Sequence, residues 1–132
     1  MKPLTVVAAL LVSLALAAPA RAVDLSGSWC GTWSSSTTGH AGPLHAEFTR
    51  CGEGRWRADF SGRFFKVFPF RYSVTLCVTE DRGDEVVLAG DSWLGRLFRT
   101  FTYRARATAC SFEACYSSRK DRGAFHLERS AR

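Results

Sequence analysis

Beyond its first two dozen or so residues, this sequence lacks any stretch where apolar residues recur at the roughly 3.6-residue helical period, so helical bundles and α/β folds are excluded. It has no glycine-rich phosphate loop and no dinucleotide fingerprint, which removes the common nucleotide-dependent enzymes. Its five cysteines form no Cys-x-x-Cys pair, and its three histidines, His40, His45 and His126, show no tight ligand spacing, so no metal site is expected. No internal repeat or low-complexity segment interrupts it. Lysine is scarce: Lys2, Lys66 and Lys120 are the whole set, and arginine carries the rest of the positive charge.

What is present begins with an export signal. Lys2 supplies a positive start, Leu4 to Ala18 form an uncharged apolar run, and Ala20-Arg21-Ala22 supplies a small-x-small cleavage pattern. The apolar run is short for a membrane span, and no cysteine follows the cleavage point to carry a lipid. Residues 1–22 are therefore read as a signal peptide and residues 23–132 as one domain, secreted or periplasmic after cleavage. Loss of Lys2 and Arg21 lowers the formal charge from +6 to about +4. That balance is compatible with anionic partners and names none. All five cysteines lie in the exported part, where one or two disulfides with a leftover thiol are expected.

Period-two alternation runs through the mature chain. Its clearest stretch is Arg57 to Val78, where Ala58 and Phe60, then Phe70, Tyr72, Val74 and Leu76 share one parity across an aromatic, basic bend. Pro69 lacks an amide hydrogen and belongs at the start of the second of these strands or in the connection. Trp29, Gly31 and Trp33 mark a first strand, and Pro43 a boundary before Leu44, Ala46 and Phe48. Val86 to Gly90, Phe98 to Ala107, Phe112 to Tyr116 and Phe125 to Arg129 complete eight strands. Short strands joined by local turns predict an all-β, eight-stranded antiparallel up-and-down β-barrel, with a two-sheet β-sandwich as the alternative. Trp29, Phe60, Tyr72, Leu76, Phe112 and Phe125 are the expected inward core.

Gly27-Ser28-Trp29 resembles the Gly-x-Trp opening of lipocalin- and avidin-like barrels, where a tryptophan packs across one end. Asp121-x-Gly-x-Phe125-x-Leu127-x-Arg129 is similar to the last strand of such barrels. The resemblance implies the same calycin-type barrel and, by analogy, small-ligand binding. The polar ligand contacts of the avidin pattern are not evident.

Up-and-down topology places alternate connections at the same end. One rim collects Phe65, Lys66, Phe68, Trp93 and Arg96, together with His40 of the first connection, whereas the opposite rim has short turns rich in Glu and Asp. The aromatic, basic rim is expected to bind a small apolar or anionic molecule, with cations steering it and rings burying it. Peripheral contact with an anionic envelope surface is a variant of the same idea. The rival reading is a filled barrel serving as a structural or protein-interaction module. A hydrolase using His40 and a neighbouring hydroxyl would need a hydrogen-bonded pair in a pocket, and sequence proximity alone does not supply one. No enzymatic activity, cofactor or nucleic-acid partner is expected. Cys30 and Cys51 are the expected disulfide, with Cys115 as the leftover thiol facing outward beside Glu113.

Overall fold

The computed structural model describes residues 23–64, 68–93 and 99–130; the proposed signal peptide lies outside them. Eight strands follow one another: β1 (Gly27–Ser35), β2 (Ala41–Gly52), β3 (Arg55–Phe64), β4 (Phe68–Asp81), β5 (Val86–Trp93), β6 (Thr100–Ala107), β7 (Ser111–Ser117) and β8 (Arg122–Arg129). Each pairs antiparallel with its neighbour in sequence, and the sheet closes into a barrel. Closure runs from Trp29↔Arg129 to Ser35↔Gly123 between β1 and β8. That seam excludes the sandwich, whose sheets would each keep two edges.

Alternation in the sequence becomes inside and outside of the wall. In β6, Phe101, Tyr103, Ala105 and Ala107 are buried while Thr102, Arg104 and Arg106 are exposed. All six expected core residues face inward, five of them buried and Tyr72 half-buried. Several strand boundaries differ from the sequence reading, two of them at residues singled out there. Pro43 lies inside β2, opposite Thr32. It is tolerated because the β2–β3 ladder starts only at Leu44↔Gly62, so the missing amide hydrogen falls beyond the ladder's end. Trp93 ends β5, opposite Thr100, rather than opening a connection.

The seams are unequal. β3 and β4 pair without interruption from Arg55↔Cys77 to Phe64↔Phe68. The β4–β5 ladder covers only Cys77↔Ala89 to Asp81↔Val86, with a bulge between Val78 and Glu80. Above it the Ser92 hydroxyl donates to the Ser73 carbonyl at 3.4 Å.

The end where β1 begins and β8 finishes, hereafter the lower end, is sealed by the segment before β1. Leu25 and Trp29 are both 0% exposed, and the Trp29 indole Nε1 donates to the Leu25 carbonyl at 2.9 Å. The Arg129 guanidinium lies 4.6 Å from the Trp29 ring centroid. It donates to the carbonyls of Ala109 at 2.8 Å, Ser26 at 2.6 Å and Asp24. Gly-x-Trp at one end of the chain and Arg129 at the other thus meet as one lid. Behind it, Trp29, Phe48 and Phe112 pack edge-on or tilted, with ring centroids 5.1–6.5 Å apart. Full burial of such a ring contributes roughly 1.5–3 kcal/mol.

Candidate ligand-binding site

The upper end is built differently. Phe70 and Tyr72 on β4 face inward beside Tyr103 and Phe101 on β6, because each pair is spaced by two along its strand. Phe70–Tyr72, Tyr72–Tyr103 and Tyr103–Phe101 are near-parallel, with centroids 6.0, 6.4 and 6.5 Å apart and interplanar angles of 21°, 21° and 25°. Trp33 meets Phe70 edge-on at 6.1 Å. Phe60 stacks under Tyr72 at 5.3 Å, and Phe125 stacks on Tyr116 at 5.1 Å. Two inward glycines make room for this belt. A Cβ at Gly62 would collide with the Phe70 ring, and one at Gly123 with the Tyr116 phenol and the Ser34 carbonyl.

Three phenols lie within or beside the belt. Burial pushes the Tyr72 hydroxyl well above the ordinary tyrosine range, and the neighbouring Tyr103 and Tyr116 phenols add to that shift. Tyr103 is pushed up to about 12, chiefly by burial, with a hydrogen bond from Tyr72 opposing the shift. Tyr116 is raised by burial first and by the Asp121 carboxylate second. All three are neutral hydrogen-bonding groups across the ordinary pH range. Tyr116 Oη lies 3.2 Å from Asp121 Oδ2 and 3.4 Å from the Ser34 carbonyl, its two available acceptors. Ser35, buried, donates to Asp121 Oδ1 at 2.5 Å, so this carboxylate ties the β1–β2 turn to the β7–β8 turn.

Of the expected rim residues, Phe68 and Trp93 stand on adjacent strands at the upper end, 63% and 64% exposed. His40 is exposed in the β1–β2 turn at the same end, where its carbonyl accepts from the Ser35 amide at 2.8 Å. Phe65, Lys66 and Arg96 lie outside the described residues. Described cations at this end are Arg63, Arg99, Arg119, Lys120 and Arg122, accompanied by Asp91 and Asp121. The lower turns carry Glu53, Glu80, Asp81, Asp84 and Glu85, with Arg82 paired to Glu80 at 2.9 Å and to Glu85 at 3.3 Å.

The belt itself was not expected as part of a site. Its residues read as core, and only the clustering of Tyr72, Tyr103 and Tyr116 at the upper ends of inward faces marks them out. A groove of about 600 Å³ lined by Arg104, Arg106, Glu113 and His126, and another of about 410 Å³ lined by Pro43, Arg63 and Phe70, run along the outer wall rather than inside it. Among the described residues no group of three or more His, Cys, Asp or Glu side chains is arranged to hold a metal ion.

The expected Cys30–Cys51 bridge is absent. All five cysteines are free thiols on the exposed surface. Register gives the reason: Cys30 stands opposite His45, and Cys51 lies six residues farther along β2, about 20 Å at strand spacing. Cys51 falls in the β2–β3 irregularity between Arg50 and Gly52. Cys115 is exposed beside exposed Glu113, as read from parity.

No protein-family model matches the sequence, and no curated protein matches it. Among solved structures, EF1p2_mFAP2b bound to DFHBI is similar in fold, with a TM-score of 0.57 and 14% identity over 80% of this chain and 94% of that chain. The likeness is one of β-barrel architecture.

Proposed function

We propose that this protein is an exported, non-enzymatic barrel that binds a small apolar or anionic molecule at its upper end. One observation carries the reading: Phe70 and Tyr72 face inward yet are only half-buried, whereas the lower rings Trp29, Phe48 and Phe112 are sealed. Their accessible faces, backed by the buried rings of Tyr103 and Phe101, offer a flat apolar wall, which suits a planar ligand. Arginines around the mouth would attract an anionic group. The lipocalin- and avidin-like sequence features support the same reading, as does a barrel of similar fold that holds DFHBI.

Fluorescence titration with anilinonaphthalene sulfonate, an apolar anion, tests it. Saturable binding is expected, weakened by Lys66→Glu, by Arg96→Glu and by added salt, with the far-ultraviolet spectrum unchanged. Absence of saturable binding by this probe and by its uncharged analogue would leave the filled barrel, a structural or protein-interaction module, as the function. The aromatic packing along the barrel axis is what favours that second reading.

A further inference from the structure

On the outer wall, away from the mouth, β1 and β2 bring a thiol, an imidazole and a carboxylate together. Cys30 stands opposite His45, and Ser28 opposite Glu47, so all four point outward on neighbouring positions. Cys30 Sγ lies 3.4 Å from His45 Nδ1. His45 Nε2 lies 3.9 Å from Glu47 Oε2. That carboxylate is held by the Ser28 hydroxyl at 2.6 Å. The order is nucleophile, base, and a group that steadies the charged form of the base. Beside it runs the groove of about 410 Å³, lined by Cys30 and His45 and walled by Pro43, Phe70, Arg63 and Arg71.

We propose that Cys30 is the reactive thiol of this protein, poised by His45 to exchange with a small, apolar, anionic disulfide seated in that groove. The Sγ–H proton passes to His45 Nδ1, and the Glu47 carboxylate stabilises the imidazolium. Sγ attacks one sulfur of the disulfide, and the S–S bond breaks with its electron pair on the departing sulfur. That thiolate takes the proton back from His45. The products are a mixed disulfide on Cys30 and one free thiol, with no external oxidant or reductant. Pro43 and Pro69 suit the apolar body of the ligand, and the two guanidiniums suit its carboxylates.

The surrounding charges make base assistance, rather than a positive field, the source of reactivity. Glu128 on β8 stands opposite Cys30, His126 lies next along β8, and Asp59 on β3 stands opposite Glu47. Ser130 Oγ also touches Sγ, at 3.1 Å. The thiol is thus flanked by carboxylates rather than cations, and His45 Nδ1 is the proton acceptor within reach. Cys77 and Cys115, opposite Arg55 and Arg104, are built-in controls for cation proximity without an imidazole in contact.

The test uses five full-length variants, each keeping one cysteine and carrying Cys→Ser at the other four, all exposed positions. Dithiobis(nitrobenzoate), a dianionic aromatic disulfide, and uncharged dithiodipyridine are the probes. The Cys30 chain is expected to react at least about tenfold faster than the Cys77 and Cys115 chains, and His45→Ala to remove that advantage, with partial rescue by added imidazole. Arg63→Glu with Arg71→Glu should slow the dianionic probe by about fivefold or more and leave the uncharged one unchanged. A Cys30 rate within about twofold of the Cys115 rate overturns the proposal. So does a His45→Ala chain that reacts undiminished or that imidazole fails to rescue. Equal slowing of both probes by the arginine reversals overturns the anionic ligand. Arg63 also borders the mouth, so only the arginine reversals touch both sites. The Cys30 rate and the His45→Ala outcome do not bear on sulfonate binding, and on those readouts the two sites fail or stand separately.

Discussion

The two ends of the barrel are made from the same kind of residue and do opposite things with it. At the lower end, Trp29 is capped by Arg129, which donates to three backbone carbonyls, and the rings beneath are fully buried. At the upper end Tyr103 and Phe101 are also buried, but Phe70 and Tyr72 stay half-buried with no comparable cap among the described residues, and Phe68 and Trp93 project from the rim. Aromatic content alone therefore says little about whether a surface is core or site. What separates the two is whether polar groups seal the rings from water.

The sharpest way to break this contrast is to truncate one ring at each end. Phe112→Ala should cost about 3–5 kcal/mol, since a large cavity opens under a closed lid. Phe70→Ala should cost less, because water already reaches its ring. Equal shifts of the urea midpoint would show that both ends are core. Next in size is the lid. Arg129→Met removes the carbonyl clamp and should cost about 1–3 kcal/mol. A midpoint unchanged in that variant would make the guanidinium ornamental.

The upper belt has its own signature in alkali. Tyr72, Tyr103 and Tyr116 are raised by burial in the folded state, so the unfolded chain loses these protons first. Their contribution to stability is whole below the unfolded tyrosine value of about 10 and is lost as pH rises toward the folded values. Thermal melts should therefore drop between about pH 10 and pH 12, and Tyr103→Phe should flatten that drop. A slope identical in the variant would mean that another group titrates. The smallest effect belongs to the rim. Trp93→Ser should change stability by no more than about 0.5 kcal/mol while lowering sulfonate affinity about threefold or more. A variant with full affinity would move the site away from Trp93.

The barrel was legible because parity is a strong signal wherever one face meets a core and the other water. Phe101-Thr102-Tyr103-Arg104-Ala105 admits only one way to stand in a wall. Eight such runs joined by short polar turns left little choice of topology. Register was not legible. Parity says which face a residue takes but not which residue it stands opposite, so Cys30 was matched with Cys51 when His45 was its neighbour. The bulge at Cys51 is invisible in a hydrophobic pattern for the same reason. Pro43 misled in another way: proline reads as a boundary, yet at a ladder's end the absent amide hydrogen costs nothing. The candidate site was half legible. Exposed Phe68 and Trp93 fell out of topology, but the tyrosine belt could not be told from core because burial depth along a strand is set by how its end is capped.

The lid also bears on where the chain could be cut. Ser130 donates its amide to the Ser28 carbonyl at 2.9 Å, and Arg129 reaches the Asp24 carbonyl, so the leading strap and the last strand lie side by side. A short Gly/Ser linker from residue 130 to residue 23 would span that distance without crossing the barrel. New ends opened in the exposed turn at residues 82–84 would then fall between β4 and β5, the seam with the shortest ladder. Such a circular permutant should fold, because every strand keeps both neighbours and only a solvent-exposed turn is broken.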